Sequence, residues 1–153
     1  MDYRIQRKIN SIDTLFKLCE KIEDEEIKSH FAKYLCVKVS GLFESCIIMI
    51  IENYVSKSSS KLTTKFVNTQ MKKFTNIKFE KLKQLLYSFN EEWGKSLEEK
   101  FKDIQLKDSL DTIISNRHDI AHYSNNSSIT FGSIMNKYTD IKKIIEIVET
   151  IVK

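Results

Sequence analysis

The sequence has no proline and only three glycines in 153 residues. All-β sandwiches and barrels turn their corners on both residue types, so this scarcity excludes them and leaves an all-α domain. Gly41, Gly94 and Gly132 stand far apart, which rules out a glycine-rich phosphate loop. Cysteine is equally sparse. Cys19, Cys36 and Cys46 form an odd set without metal-ligand spacing, each in an apolar helical stretch, and read as small core residues in a reducing compartment. Long apolar runs are missing too: the longest, Cys46–Ile51, covers six residues between Glu44 and Glu52. A bilayer span needs about 20. The N-terminal MDYRIQRKIN lacks the apolar core of a signal peptide. These absences predict a cytoplasmic chain without membrane contact, in which the asparagine–serine sequons near Asn125 stay unmodified.

What is present is globular. Hydrophobic residues make up 41% and charged residues 30%, too apolar a balance for disorder. The length predicts a single domain over residues 1–153, large enough to bury roughly 70% of its unfolded surface. Twenty-five basic against 21 acidic side chains leave a formal charge of +4, compatible with a polyanionic partner.

Apolar residues recur at helical spacing almost throughout and predict about five to seven helices with a long central second one. The first covers about Tyr3 to Ile22. The second runs from about Asp24 to Val55, opens on an acidic cluster that complements the helix dipole, and turns apolar on every side between Leu42 and Ile51. Such a segment is either central to a bundle or covered by a second chain. Ser56 to Ser60 breaks it. Two lysine-rich amphipathic helices follow, about Leu62 to Phe74 and Phe79 to Phe89, then a short helix and connector within Asn90 to Lys102. A helix from about Leu106 to Ala121, a polar turn at YSNNSS and a last helix from about Ser133 to Val152 complete the chain.

Site chemistry concentrates in Asn116–Tyr123, NRHDIAHY. Lysine does nearly all the basic work here, yet one of only three arginines, Arg117, stands with two of the three histidines. On a helical wheel Leu106, Leu110, Ile113, Ile114, Ile120 and Ala121 form one apolar arc with Arg117 near its middle. A guanidinium there needs a carboxylate, an interface or a ligand. His118, Asp111 and His122 share the flank, with His122 about 140° from Arg117 in a regular helix. The two therefore reach one phosphate only if the helix end unwinds or a second chain contributes. His118 and His122 are also four residues apart, as metal chelators can be, but no third ligand is close in sequence beyond Asp111 and Asp119, and no metal or cofactor is expected. In the plain structural alternative Arg117 pairs with Glu44, the lone acid inside the apolar second helix, and the histidines cap a helix C-terminus. His30, among polar residues, reads as surface.

NRHDIAH on a late helix, preceded by DSLDTII, resembles the HEPN superfamily, whose hallmark is Arg, four to six residues, then His, often with a polar residue after the Arg. The second helix, VKVSGLFESCIIMIIENYV, and the tail, SITFGSIMNKYTDIKKIIEIVETIV, are similar to its RiboL-PSP-HEPN branch. The resemblance implies an HEPN-like helical bundle that dimerises and brings two motifs into one cleft. Many such proteins are metal-independent endoribonucleases serving as toxins, antiviral effectors or RNA-processing enzymes; others only bind nucleotides, RNA or partner proteins. Carried over by motif position, Arg117 stabilises the phosphate, His122 is the acid/base and His118 the accessory polar group. Glu44, Asp119 and Asn116 stand as supporting residues. One subtype places a tyrosine, modified by an antitoxin, one residue beyond its His. Here Tyr123 follows His122 directly and Ser124 takes the next place, a departure from that pattern.

The chemistry suits these residues. Metal-free cleavage needs the 2′-hydroxyl deprotonated, the phosphorane's charge neutralised and the 5′-oxygen protonated. Histidine, with a reference pKa of about 6.5, serves either proton transfer, and arginine offers phosphate oxygens a permanently charged donor fork. The expected product ends are 2′,3′-cyclic phosphates. RNA, a second copy of the chain and an antitoxin or regulatory protein are the expected partners. A basic rim of Lys61, Lys65, Lys72, Lys73, Lys78, Lys81 and Lys83 for the RNA backbone competes with a reading of these lysines as solvated helix faces.

Overall fold

The structure, a computed structural model, describes residues 1–102, 104–122 and 128–153. Among them are seven helices and no strand: α1 (Tyr3–Glu20), α2 (Glu25–Ser58), α3 (Lys61–Met71), α4 (Phe79–Phe89), α5 (Glu91–Lys100), α6 (Ile104–Ala121) and α7 (Phe131–Ile151). The turn expected at YSNNSS, with Tyr123 and Ser124, lies outside the described residues apart from Ser128.

Most of these helices begin where a short polar side chain can cap them. Asp2 accepts from the Arg4 N–H, Asp24 from Ile27, Ser60 from Thr63, Asn90 from Glu92 and Thr130 from Ser133, each relieving one orphan donor of a first turn. Lys78, which precedes α4 at the N-cap position, supplies no side-chain cap. The cap of α4 comes from another helix: Asp111 Oδ1, on α6, accepts the Phe79 N–H at 2.8 Å.

Local hydrogen bonds explain where helix ends depart from the periodicity. α2 continues past Val55 to Ser58 and ends where Ser59 takes extended backbone; in its last turn the Ser56 and Ser58 hydroxyls bond back to the carbonyls of Asn53 and Tyr54, at 3.0 and 2.8 Å, a pattern that competes with further helix. α3 stops at Met71, short of Phe74. Tight turns from Lys73 to the Gln70 carbonyl and from Phe74 to the Met71 carbonyl close it, and Asn76 then takes a positive φ of 53°.

α2 is the axis of the bundle and packs against α1, α3, α6 and α7. Leu42, Phe43, Cys46, Ile47, Ile50 and Ile51 are buried, so a single chain accounts for most of the segment that is apolar all round. By length and composition α2 is also long and apolar enough to cross a membrane, although its longest uninterrupted apolar run is only the six residues of Cys46–Ile51. Its most apolar window has a mean hydropathy of 1.8, and 56% of that window lies inside the bundle. Toward its N-terminus α2 instead exposes Ile27, Phe31 and Tyr34 along one stripe. Burial pushes the thiols of Cys36 and Cys46 up to about 12, in keeping with core residues.

Two polar clusters fix the helices around α2. Asp140 on α7, 3% exposed, accepts from Ser109 Oγ at 2.7 Å and Gln105 Nε2 at 3.1 Å, both on α6. Tyr138 of α7 stacks on Phe16 of α1 with ring centroids 4.7 Å apart, and its hydroxyl donates to Asp13 Oδ1 at 2.8 Å. At the chain ends the Asp2 N–H donates to Glu149 Oε1 at 2.6 Å, and Asn53 Nδ2 donates to Asp2 Oδ2 at 2.7 Å.

Candidate nucleotide-directed site at the end of α6

The apolar arc of α6 is buried at Leu106, Leu110, Ile113 and Ile114, and Cys36 Sγ on α2 lies 3.6 Å from the Ile113 carbonyl. Beyond Ile114 the helix emerges. Arg117 and Ile120 are half-buried and Ala121 is exposed, so the guanidinium sits at the rim rather than in the core the wheel implied.

At that rim Arg117 Nη1 donates to Asn76 Oδ1 at 3.2 Å. Asn76 in turn donates its backbone N–H to Glu44 Oε1 at 2.6 Å. The direct Arg117–Glu44 pairing considered from the sequence is absent among the described residues, because the α3–α4 loop inserts Asn76 between them. The electrostatic difference is large. A carboxylate would cancel the guanidinium's charge, whereas a neutral amide orients it and leaves the charge available for an anion. Asparagine is among the few side chains that tolerate the left-handed backbone needed here.

The histidines lie on the other flank. His118 and His122 are both exposed, with ring centroids 4.4 Å apart and planes inclined by 50°. His122 follows the last residue of α6, yet its N–H still donates to the His118 carbonyl at 3.1 Å. Helical geometry thus persists to His122 and the helix end does not unwind, so the angular separation from Arg117 remains. His118 and Asp119 line a shallow cleft of about 320 Å³ with Asn76, Lys78, Ile114 and Ser115. Asn116 bonds back along the helix, from Nδ2 to the Thr112 carbonyl at 2.9 Å.

Asp111, read as sharing the histidine flank, is occupied with the N-terminus of α4. Among the described residues no group of three or more histidine, cysteine, aspartate or glutamate side chains is arranged to hold a metal. His30 is exposed. Sequence reasoning missed Asn76 altogether and counted Lys78 only within the basic rim. Both come from a loop some 40 positions before the motif, and the one available signal was an asparagine just ahead of a helix start.

The family model of RiboL-PSP-HEPN matches residues 3–153, nearly the whole chain and both flanks of the motif. The chain belongs to the RiboL-PSP-HEPN family. Neither a curated protein nor a solved structure matches it. As an HEPN protein it carries the Arg117–His122 pair at the emerging end of a late helix, beside a cleft whose far wall is the α3–α4 loop.

Proposed function

We propose that this HEPN protein is a metal-independent endoribonuclease, acting as a cytoplasmic homodimer in toxin–antitoxin systems, antiviral defence or RNA processing. The observation that carries the reading is the state of Arg117: a half-buried guanidinium on the helix of an exposed histidine pair, held by a neutral amide instead of a carboxylate. In the reaction, the 2′-hydroxyl oxygen attacks the adjacent phosphorus and the bond to the 5′-oxygen breaks. One imidazole removes the 2′-hydroxyl proton, another protonates the departing 5′-oxygen, and the guanidinium binds the nonbridging oxygens. The products are a 2′,3′-cyclic phosphate and a free 5′-hydroxyl. His122 serves as acid/base, one from each copy, with His118 packed against it as the accessory polar group; Asn76 and Glu44 position Arg117.

The helical phase supports the dimer. Arg117 and His122 face different sides of α6, so two copies are needed to set a guanidinium opposite an acid/base imidazole. The exposed stripe of Ile27, Phe31 and Tyr34 lies roughly opposite Cys36 on α2, and Cys36 faces α6. Contact through that stripe alone would hold the two α6 ends apart, so the proposed catalytic dimer is built at the α6 end.

The test is cleavage of total RNA and tRNA in EDTA by the wild type, Arg117→Ala and His122→Ala, with helical content checked by circular dichroism. Cleavage by the wild type alone, leaving cyclic phosphate ends, is expected. Cleavage retained by either variant overturns the assignment. A second reading, a non-catalytic module that binds RNA, a nucleotide or a partner protein, is favoured by the divergence of Arg117 and His122 within one chain. A folded dimer that binds RNA without cutting it would establish that reading.

A further inference from the structure

Between Glu52 and Glu80 the sequence runs 27 residues without an acid and includes six lysines, Lys57, Lys61, Lys65, Lys72, Lys73 and Lys78. No other acid-free stretch of the chain holds more than three lysine or arginine residues. Among the described residues none of these six lysines forms a salt bridge, whereas Lys83 is engaged by Glu80 and Glu98. Unpaired like charges repel, so these lysines concentrate positive potential along the segment.

α3, at the centre of this segment, is the least embedded of the helices, with Met71 its single buried residue. It exposes Phe66 by 64% and Leu62 by 82%; Lys65 stands one turn from Leu62 and next in sequence to Phe66. Where α3 meets α2, Lys61, Lys65 and Lys72 edge an open groove of about 560 Å³ whose walls carry the hydroxyls of Ser56, Thr64 and Thr69. Asn68 lines the same groove. The segment is linked along the chain to the α6 site: beyond α3 it passes through Lys72 and Lys73 to Asn76, which holds Arg117, and to Lys78 in the histidine cleft.

We propose that α3 docks single-stranded RNA, with Lys61, Lys65 and Lys72 contacting successive phosphates and Phe66 offering its ring face to a base. Lysines track a backbone while an exposed aromatic ring stacks on any base, and the polar, hydroxyl-lined groove suits a sugar–phosphate chain. An anionic membrane would meet the same charges. However, two exposed apolar residues on an 11-residue helix present little to insert, and a polar groove has no use for acyl chains. The choice of RNA as the strand rests on the ribonuclease reading; the surface itself does not.

The experiment titrates the full chain against a fluorescein-labelled oligouridine bearing 2′-O-methyl groups, which binds but cannot be cleaved, and follows anisotropy over a range of salt. Phe66→Ala is expected to weaken binding about tenfold. Lys61→Gln/Lys65→Gln/Lys72→Gln should weaken it further and lower the slope of log affinity against log salt by about 2. Lys17→Gln/Lys21→Gln, on the exposed end of α1, serves as the control and should bind as the wild type does. No binding by the wild type, equal losses in the control, or unchanged binding in the α3 variants overturns the proposal. So does binding to phosphatidylserine vesicles, but not to the oligonucleotide, that is lost in the same variants. Unmodified RNA separates the two readings. Binding through α3 without cleavage leaves the docking surface standing and removes the nuclease, whereas cleavage with an unchanged KM in Phe66→Ala does the reverse.

Discussion

Asp111 holds the first turn of α4 from a different helix, and its removal has a calculable effect. In Asp111→Ala the Phe79 N–H loses its acceptor in a part-buried place, with no cap from Lys78 to replace it. Losing a helix cap costs about 1 kcal/mol, and losing a carboxylate beside the positive end of a helix dipole adds about 0.5 kcal/mol. For a chain of this length 1 kcal/mol corresponds to about 3 °C, so Asp111→Ala should melt about 5 °C below the wild type. Asp111→Asn keeps an acceptor oxygen and loses only the charge; it should melt about 1–2 °C lower. Thermal unfolding followed by far-ultraviolet circular dichroism measures both, and amide exchange at Phe79 reports the turn directly. A melting point for Asp111→Ala within about 1 °C of the wild type, with unchanged Phe79 protection, would refute the cross-helix cap. Because the same turn carries Lys78 and adjoins Asn76, the alanine variant should also cleave RNA more slowly than the asparagine variant.

Three further expectations can be checked singly. Asn76→Asp keeps the size of the side chain and tolerates the same backbone, yet sets a carboxylate on the Arg117 guanidinium; RNA cleavage should fall at least about tenfold with no loss of melting temperature, and unchanged cleavage would show that a free charge on Arg117 is not needed. Gly94 is buried in α5 where an added Cβ would overlap the Tyr87 ring, so Gly94→Ala sets a gain of about 1 kcal/mol in helix propensity against roughly 1–3 kcal/mol of overpacking and should melt lower, while a rise would mean that the ring gives way freely. The Arg4 guanidinium and N–H, both donating to Asp2, hold its carboxyl down at about 2. A depressed carboxylate stabilises the fold above its unfolded pKa of about 3.9 and loses that contribution as pH falls toward about 2, so the melting gap between wild type and Asp2→Asn should shrink across that window and stay constant above about pH 5.

The helices were legible in the sequence because each buries one periodic face, and α4 falls on Phe79–Phe89 as the pattern indicates. Their ends were less so, since they depend on hydrogen bonds that periodicity does not encode, such as the tight turns that close α3 after Met71. The candidate site divides in the same way. Arg117, His118 and His122 stand on one helix, so linear spacing reveals them. Asn76 is joined to Arg117 only by tertiary packing, and its effect on Glu44 could not be foreseen: the carboxylate was expected to meet the guanidinium and instead meets a backbone N–H. The burial of Arg117 was overestimated because a helical wheel has no knowledge of where a helix leaves the core.

The contacts of Asp2 with Glu149 and Asn53 have a topological consequence. Met1 and Lys153 line the same groove, and the terminal amino group lies 3.8 Å from the Glu149 carboxylate, so the polypeptide traces a path that almost returns to its origin. A short flexible linker could join residue 153 to residue 1 with little loop-closure cost, and the chain could be reopened between Ser59, the exposed C-cap of α2, and Ser60, the N-cap of α3. In such a permuted molecule α3 would become the leading helix while α6 and its flanking loops kept their connections, giving a means to alter one surface through chain order alone. Two labels attached at residues 1 and 153 would sit side by side, and their separation would report the parting of α1 from α7.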